Sequence, residues 1–324
     1  MAKLTTETQR KSPPSEKKSK SKFGLSPTEL AGLAAFLLLP FVVAALFSGQ
    51  IPTFLSPSTN TNTSQNDETQ TPDPIDPASP SLLAACYNHT YTTEIISLDP
   101  LMIYINNFTS AAEAQALINL GTPSFTPSFI SQTSGRTAVD AGRTSHSAPL
   151  DDDHPLVSCI LSRARAFMGT TMLPHEPFSL PQLVRYFPGQ RYNLHTDFWP
   201  VHQRTRTTGP DGVVRERKFN RPASFFVFLR DACVGGETFF PGVDVDVDGD
   251  GDGDGTDASG PKVSKGEKDG VPMGVKFRPM TGNAIFWVNL DQQGRGDRRV
   301  VHAGLPVREG EKIGMNLWPR KFYS

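Results

Sequence analysis

The stretch YNLHTDFW, residues 192–199, places His195 and Asp197 two positions apart inside a run that is otherwise aromatic and apolar. In an extended strand residues i and i+2 lie on one face, so imidazole and carboxylate are expected to point into the same space. Two such groups do not complete a metal site, and a third ligand has to come from elsewhere. The run RRVVHAGLPV, 298–307, offers His302 in a second strand-like segment.

Outward from this stretch the chain after Pro181 reads as short β-rich runs punctuated by Gly, Pro and Asn: LVRYF, RYNLHTDFW, SFFVFLR, ETFFP, NAIFWV, RVVHAGLPV and KIGMNLW. Many short strands with helices ahead of them predict a barrel or jelly roll with a helical flank. The helices are expected in SAAEAQALINLG, where Ser110 and Glu113 form a capping box and Gly121 stops the helix, and over Pro155–Met168. In the second, Leu156, Cys159, Ile160 and Phe167 share one side. PLMIYINNF, from Pro100, supplies a strand, and the folded part is expected to begin near Leu98.

Two histidines and a carboxylate on one side of an iron leave the opposite positions open, the arrangement of non-haem Fe(II) oxygenases. A lone His-x-Asp carries little weight in a chain with seven histidines. Lys312 adds to it, lying ten residues after His302 in the next strand-like run. A buried ammonium needs an anionic partner, and its sequence neighbourhood offers none evident; a bound dicarboxylic acid would supply one.

At this point the chain resembles the prolyl 4-hydroxylase alpha-subunit-like family of Fe(II)/2-oxoglutarate-dependent dioxygenases, over roughly Asp99 to Tyr323. The matching pieces are GRTS (142–145), LVRYFPGQRYNLHTD (183–197), GGETFFP (235–241), GNAIFW (282–287) and VHAGLPVREGEKIGMNLWPR (301–320). The resemblance implies a mainly β fold with flanking α, a double-stranded β-helix preceded by helices. It implies Fe(II) on His195, Asp197 and His302, with 2-oxoglutarate as cosubstrate held by Lys312, Tyr186 and Thr238. Tyr192, Arg221 and Trp318 match positions lining a peptide groove, and Arg143 and Ser145 a segment that covers substrate. The implied reaction hydroxylates peptidyl proline at the 4-position with O2, releases succinate and CO2, and draws on L-ascorbate to restore iron. Lysine or a small molecule remains open as the target. A zinc hydrolase, which has no need of Lys312 or Tyr186, and a noncatalytic lumenal binding module are the other readings.

The remaining sequence speaks to topology. The 324 residues carry a net charge of −1, which gives no reason to expect a nucleic-acid partner. Cations cluster in the first 22 residues, and none follows until Arg136. We read 1–29 as a cytosolic basic tail and 30–51 as a transmembrane signal anchor. Residues 52–97 are then a lumenal linker, of which 52–80 is too polar and Pro-rich to fold, and 98–324 the dioxygenase domain. This is a single-pass type II arrangement in the endoplasmic reticulum or another secretory membrane. Asn62, Asn88 and Asn107 begin glycosylation sequons. Of Cys86, Cys159 and Cys233 one pair can bridge in an oxidising lumen, although Cys159 is favoured as a small core hydrophobe.

Three features fall outside this scheme. GGET lacks the lysine and helix of a phosphate loop and reads as a turn. The acidic repeat DVDVDGDGDGDGTD, 244–257, with its neighbours forming an insertion over 244–270, imitates a calcium loop at Asp246, Asp248, Asp250 and Gly251. With Asp257 where such a loop has Glu, a flexible solvated insertion is the better reading. The basic run RTRTTGPDGVVRERK, 204–218, is either a border of the peptide groove or a polar hairpin.

Overall fold

SFFVFLR is apolar at nearly every position because both of its faces are covered. It lies in the strand Ala223–Gly235, where Ala223 to Leu229 are all buried. Phe225, Val227 and Leu229 pack toward the helices, and Phe226 and Phe228 toward a second sheet. This computed structural model describes residues 76–128, 130–131, 137–138, 142–208, 212–245, 261–268 and 270–323. They all belong to one unit, Gln70–Ser324.

The strand is central in an eight-stranded antiparallel sheet. The order is Thr92–Leu98, Leu101–Asn106, Ala284–Val288, Ala223–Gly235, Val307–Leu317, Gln182–Tyr186, His146–Pro149, Thr126–Pro127. A five-stranded sheet, Val263–Lys268, Val271–Phe277, Thr238–Phe240, His302–Gly304, Tyr192–His195, shares a core with it. Tyr104, Val184, Phe226, Phe228 and Trp287 from the large sheet meet Phe240, Val275 and Phe277 from the small one. The result is mainly β and jelly-roll-like, as expected. A separate three-stranded sheet joins Lys321–Tyr323, Val214–Asn220 and Gln203–Thr208.

The helices cover the outer face of the large sheet. Ala111–Gly121 starts at the expected capping box, with both reciprocal Ser110–Glu113 bonds present. Pro155–Met168 begins with its proline in the first turn, and His154 Nδ1 accepts from the Leu156 amide. Leu156, Cys159 and Ile160 are buried beneath it, with Phe167 packed against the same core.

Several expectations need correction. The ordered fold begins well before Leu98: a helix spans Pro80–Tyr87 and a strand Thr92–Leu98, so the linker does not extend to residue 97. Leu82 and Cys86 are buried in the helical layer, and Thr92–Leu98 pairs with Leu101–Asn106, which offsets the polar composition around them. Cys159 is in the core, but it is bridged to Cys86. Gly121 does not end its helix by adopting a left-handed conformation; it is the last helical residue, and a Cβ there would overlap Leu183. The acidic insertion stops short of 270, since Val263–Lys268 pairs with Val271–Phe277. Its calcium-like aspartates from Asp246 onward lie outside the described residues, as does the expected anchor over 30–51. Among the described residues no helix is long and apolar enough to cross a membrane.

Candidate metal centre

His302 and His195 are direct cross-strand partners in the small sheet, with ring centroids 4.2 Å apart. Asp197 arrives differently from the expected strand alternation: the strand ends at His195 and Asp197 sits in the bend that follows. That bend brings its carboxylate 3.9 Å from His195 Nε2 and 4.0 Å from His302 Nε2. One ligand atom from each residue lies within 4.8 Å of the others.

The ring orientations are set by the backbone. His195 Nδ1 lies 2.8 Å from the Asn193 carbonyl oxygen and His302 Nδ1 3.1 Å from that of Val300. A carbonyl only accepts, so each Nδ1 carries the proton and each Nε2 turns a lone pair toward Asp197. Burial, reinforced by the neighbouring imidazole of His302, pushes His195 down to about 3. Burial lowers His302 as well, against the pull of Asp197. Burial would raise Asp197, but the two imidazoles, Arg221 and a bond from Ser224 outweigh it and hold the carboxyl below its usual range. Neutral imidazoles beside an ionised carboxylate are the protonation states a divalent metal requires.

Two residues that sequence reading missed hold Asp197 in place. Ser224 Oγ donates to Asp197 Oδ2 at 2.6 Å and accepts from Asn289 Nδ2 at 2.8 Å. The signal was a serine sharing a face with Phe226 and Phe228 at the head of an apolar strand.

Lys312 lies opposite Tyr186 in the large sheet and is 1% exposed. Its ammonium donates to the Gly236 carbonyl and sits over the rings of Phe226, Tyr186 and Phe228 at 5.0, 5.4 and 5.6 Å. Gly235 and Gly236 make the expected turn, with φ of +78° and +75°, values that favour glycine. Among the described residues no carboxylate forms an ion pair with Lys312, and burial pushes its pKa down to about 8. Thr238, buried and opposite Gly304, has an Oγ1 with no partner. The Tyr186 hydroxyl is likewise buried, with Ser145 in hydrogen-bonding reach, and burial raises its pKa. A buried cation lacking an acid, beside an orphaned hydroxyl, fits the carboxylate of a small dicarboxylic acid.

The other expected residues gather at the same centre. Tyr192 stacks on His195 with centroids 3.5 Å apart, and the Arg143 guanidinium lies 4.7 Å above the Tyr192 ring. Arg143 also donates to Gln182 and Ser147. Arg221 donates to the Asp197 carbonyl at 3.2 Å and stacks on Trp318 and Trp199, at 3.7 and 4.4 Å. Burial lowers Arg221 to about 10. Trp199 was not anticipated. Ser145 is buried, its hydroxyl 2.9 Å from that of Ser128.

Fold and site together define the class, a jelly-roll-like protein with a His-Asp-His centre fit to hold a divalent metal. No family model matches the chain. Its relatives include Prolyl 4-hydroxylase 1 of Arabidopsis thaliana, 28% identical over 232 residues that cover 70% of this chain and 71% of that protein. Prolyl 4-hydroxylase subunit alpha-3 of Homo sapiens is 28% identical over 231 residues, 71% of this chain and 35% of the human one. Among solved structures, the viral collagen prolyl hydroxylase of Paramecium Bursaria Chlorella virus-1, in its 2OG complex, aligns with a TM-score of 0.44 at 25% identity, covering 68% of this chain and 95% of that one. Over about 70% of its length the chain is thus similar in sequence to prolyl 4-hydroxylases.

Proposed function

We propose that this chain hydroxylates peptidyl proline at the 4-position, using O2 and 2-oxoglutarate and releasing succinate and CO2. The observation that carries the reading is Lys312: a buried ammonium without an acid partner, in the same barrel as three converging metal ligands. The prolyl 4-hydroxylase relatives support proline as the target.

His195, Asp197 and His302 would hold Fe(II), and Lys312, Tyr186 and Thr238 the far carboxylate of 2-oxoglutarate. Bound there, iron and the keto acid supply the oxidising power that activates dioxygen. The protein's own contribution is placement and exclusion. The Asn193 and Val300 carbonyls hold protons on the outer imidazole nitrogens, and Ser224 fixes the carboxylate oxygen. Phe226, Phe228 and Tyr186 keep water from the ammonium, which strengthens its bond to an incoming carboxylate. Tyr192, Arg143, Arg221 and Trp318 would border the peptide beside the metal ligands, and L-ascorbate would serve as the reductant that keeps the metal ferrous.

The reading extends to placement in the cell: a type II protein of the endoplasmic reticulum membrane, anchored by 30–51 with the catalytic unit in the lumen. Support comes from the cations that flank the apolar stretch on its N-terminal side, with none after it until Arg136, and from the Cys86–Cys159 bridge, which persists in oxidising compartments. The decisive experiment is succinate release with Fe(II), 2-oxoglutarate and a panel of proline-containing peptides, with mass spectrometry of the product. Wild type should turn over and His195→Ala should lose at least about a hundredfold. Absence of 2-oxoglutarate-dependent turnover with every peptide would overturn the reading.

A further inference from the structure

The basic run after the metal strand forms a hairpin, Gln203–Thr208 paired with Val214–Asn220, and both ends are fastened to the metal centre. Asn220 exchanges bonds with the backbone of Trp199, its Oδ1 accepting from the amide at 3.1 Å and its Nδ2 donating to the carbonyl at 2.9 Å. The next residue, Arg221, donates to the carbonyl of Asp197. The C-terminal strand Lys321–Tyr323 pairs with the base of the hairpin.

Its charge is one-sided. Arg204, Arg206, Arg215, Arg217 and Lys218 are all exposed, and Glu216 is the one carboxylate among the described hairpin residues. The register places Arg204 directly opposite Lys218, so cations lie on both strands of the hairpin. Glu216 is already engaged with Arg204 at 2.8 Å. Arg217 lies over Phe322, 5.1 Å from the ring centroid, which anchors the guanidinium stem beside the metal-side base of the hairpin.

We propose that this hairpin selects peptide substrates with carboxylate side chains near the target proline. The inference rests on the reading of the chain as a peptidyl-proline hydroxylase. Arg217 and Arg215 precede Arg221 by four and six positions, roughly 13 and 20 Å along a strand. An extended substrate advances by about the same rise per residue, so the favoured acids lie about four to six positions from the proline.

The test uses the full chain with Fe(II), 2-oxoglutarate and matched peptides carrying Asp, neutral or Lys residues at those positions, on either side of the proline. The expected result is kcat/KM at least about fivefold higher for Asp than for neutral peptides at low ionic strength, carried mainly by KM and largely lost near 0.5 M salt. In an Arg215→Gln, Arg217→Gln variant the preference for Asp should shrink while turnover of neutral peptides stays within about twofold of wild type. Equal kcat/KM for Asp and neutral peptides in the wild type overturns this inference and leaves the hydroxylase reading intact. Failure of all peptides overturns the hydroxylase reading itself. The wild-type panel and its salt dependence decide the question even if the variant misfolds.

Discussion

Ser224 carries the metal site's least visible function. Its hydroxyl donates to Asp197 and is itself held by Asn289, so removing it frees one carboxylate oxygen and strands an amide in the core. Ser224→Ala should therefore weaken Fe(II) binding by about 10- to 100-fold. Activity should return at high iron, measured by titrating metal against succinate release, whereas a change that abolished folding would show no rescue. Lys312 makes a different kind of prediction. Its folded pKa, near 8, lies below the ordinary 10.5, so the fold disfavours its charged form. The unfolded chain holds that proton up to about 10.5, so the penalty is present at neutral pH and relieved as pH rises between the two values. Lys312→Met should accordingly raise thermal stability at pH 7, by about 1–3 kcal/mol, while 2-oxoglutarate-dependent turnover collapses. The ammonium is also the form that binds a carboxylate. KM for 2-oxoglutarate should thus rise above pH 8, about tenfold by one unit beyond it, and a flat profile would remove Lys312 from the cosubstrate site.

At the scale of elements, the helical layer is fastened by more than apolar contact. Arg163, on Pro155–Met168, donates to Glu113 through both terminal nitrogens at 2.7 and 3.0 Å, and to the Phe108 and Cys86 carbonyls at 2.5 and 2.8 Å. The Cys86–Cys159 bridge joins the same helix to Pro80–Tyr87 across a sequence separation of 73. Closing a loop of that length removes about 4.4 kcal/mol of unfolded-chain entropy, and measured bridges are commonly worth about 2–4 kcal/mol. Reduction, or Cys86→Ser with Cys159→Ser, should lower Tm by roughly 5–15 °C in a differential scan, with the iron site still formed below the transition. These elements also show what a sequence exposes. The central strands of the large sheet were readable because SFFVFLR and NAIFWV are apolar on both faces, and the Ala111–Gly121 helix because Ser110 and Glu113 mark its start. The Pro80–Tyr87 helix was not, since its prolines and polar flanks resemble a tether and only the bridge and the buried Leu82 give it a place in the core. The triad was legible as residue types, but the bend that delivers Asp197 and the Ser224–Asn289 support depend on pairing between strands distant in sequence.

Across the whole molecule, charge and apolarity are sorted by position. Seven cations precede the apolar stretch 30–51, and the Cys86–Cys159 bridge belongs to the unit that follows it. A stretch of that length with cations close on its N-terminal side and none after it until Arg136 favours retention of the N-terminus in the cytosol, and the bridge then forms where thiols are oxidised. Asn88, exposed just past the Pro80–Tyr87 helix, becomes a usable glycan acceptor in that orientation. The full chain should stay with membranes after alkaline carbonate, while a chain starting at Asp76 should partition to the soluble fraction and still release succinate from 2-oxoglutarate. Asn88→Gln should remove one glycosidase-sensitive step in mobility from the membrane-bound form. A full chain that washes off in carbonate and shows no such step would place the catalytic unit elsewhere, and the oxidising surroundings inferred for its bridge would go with it.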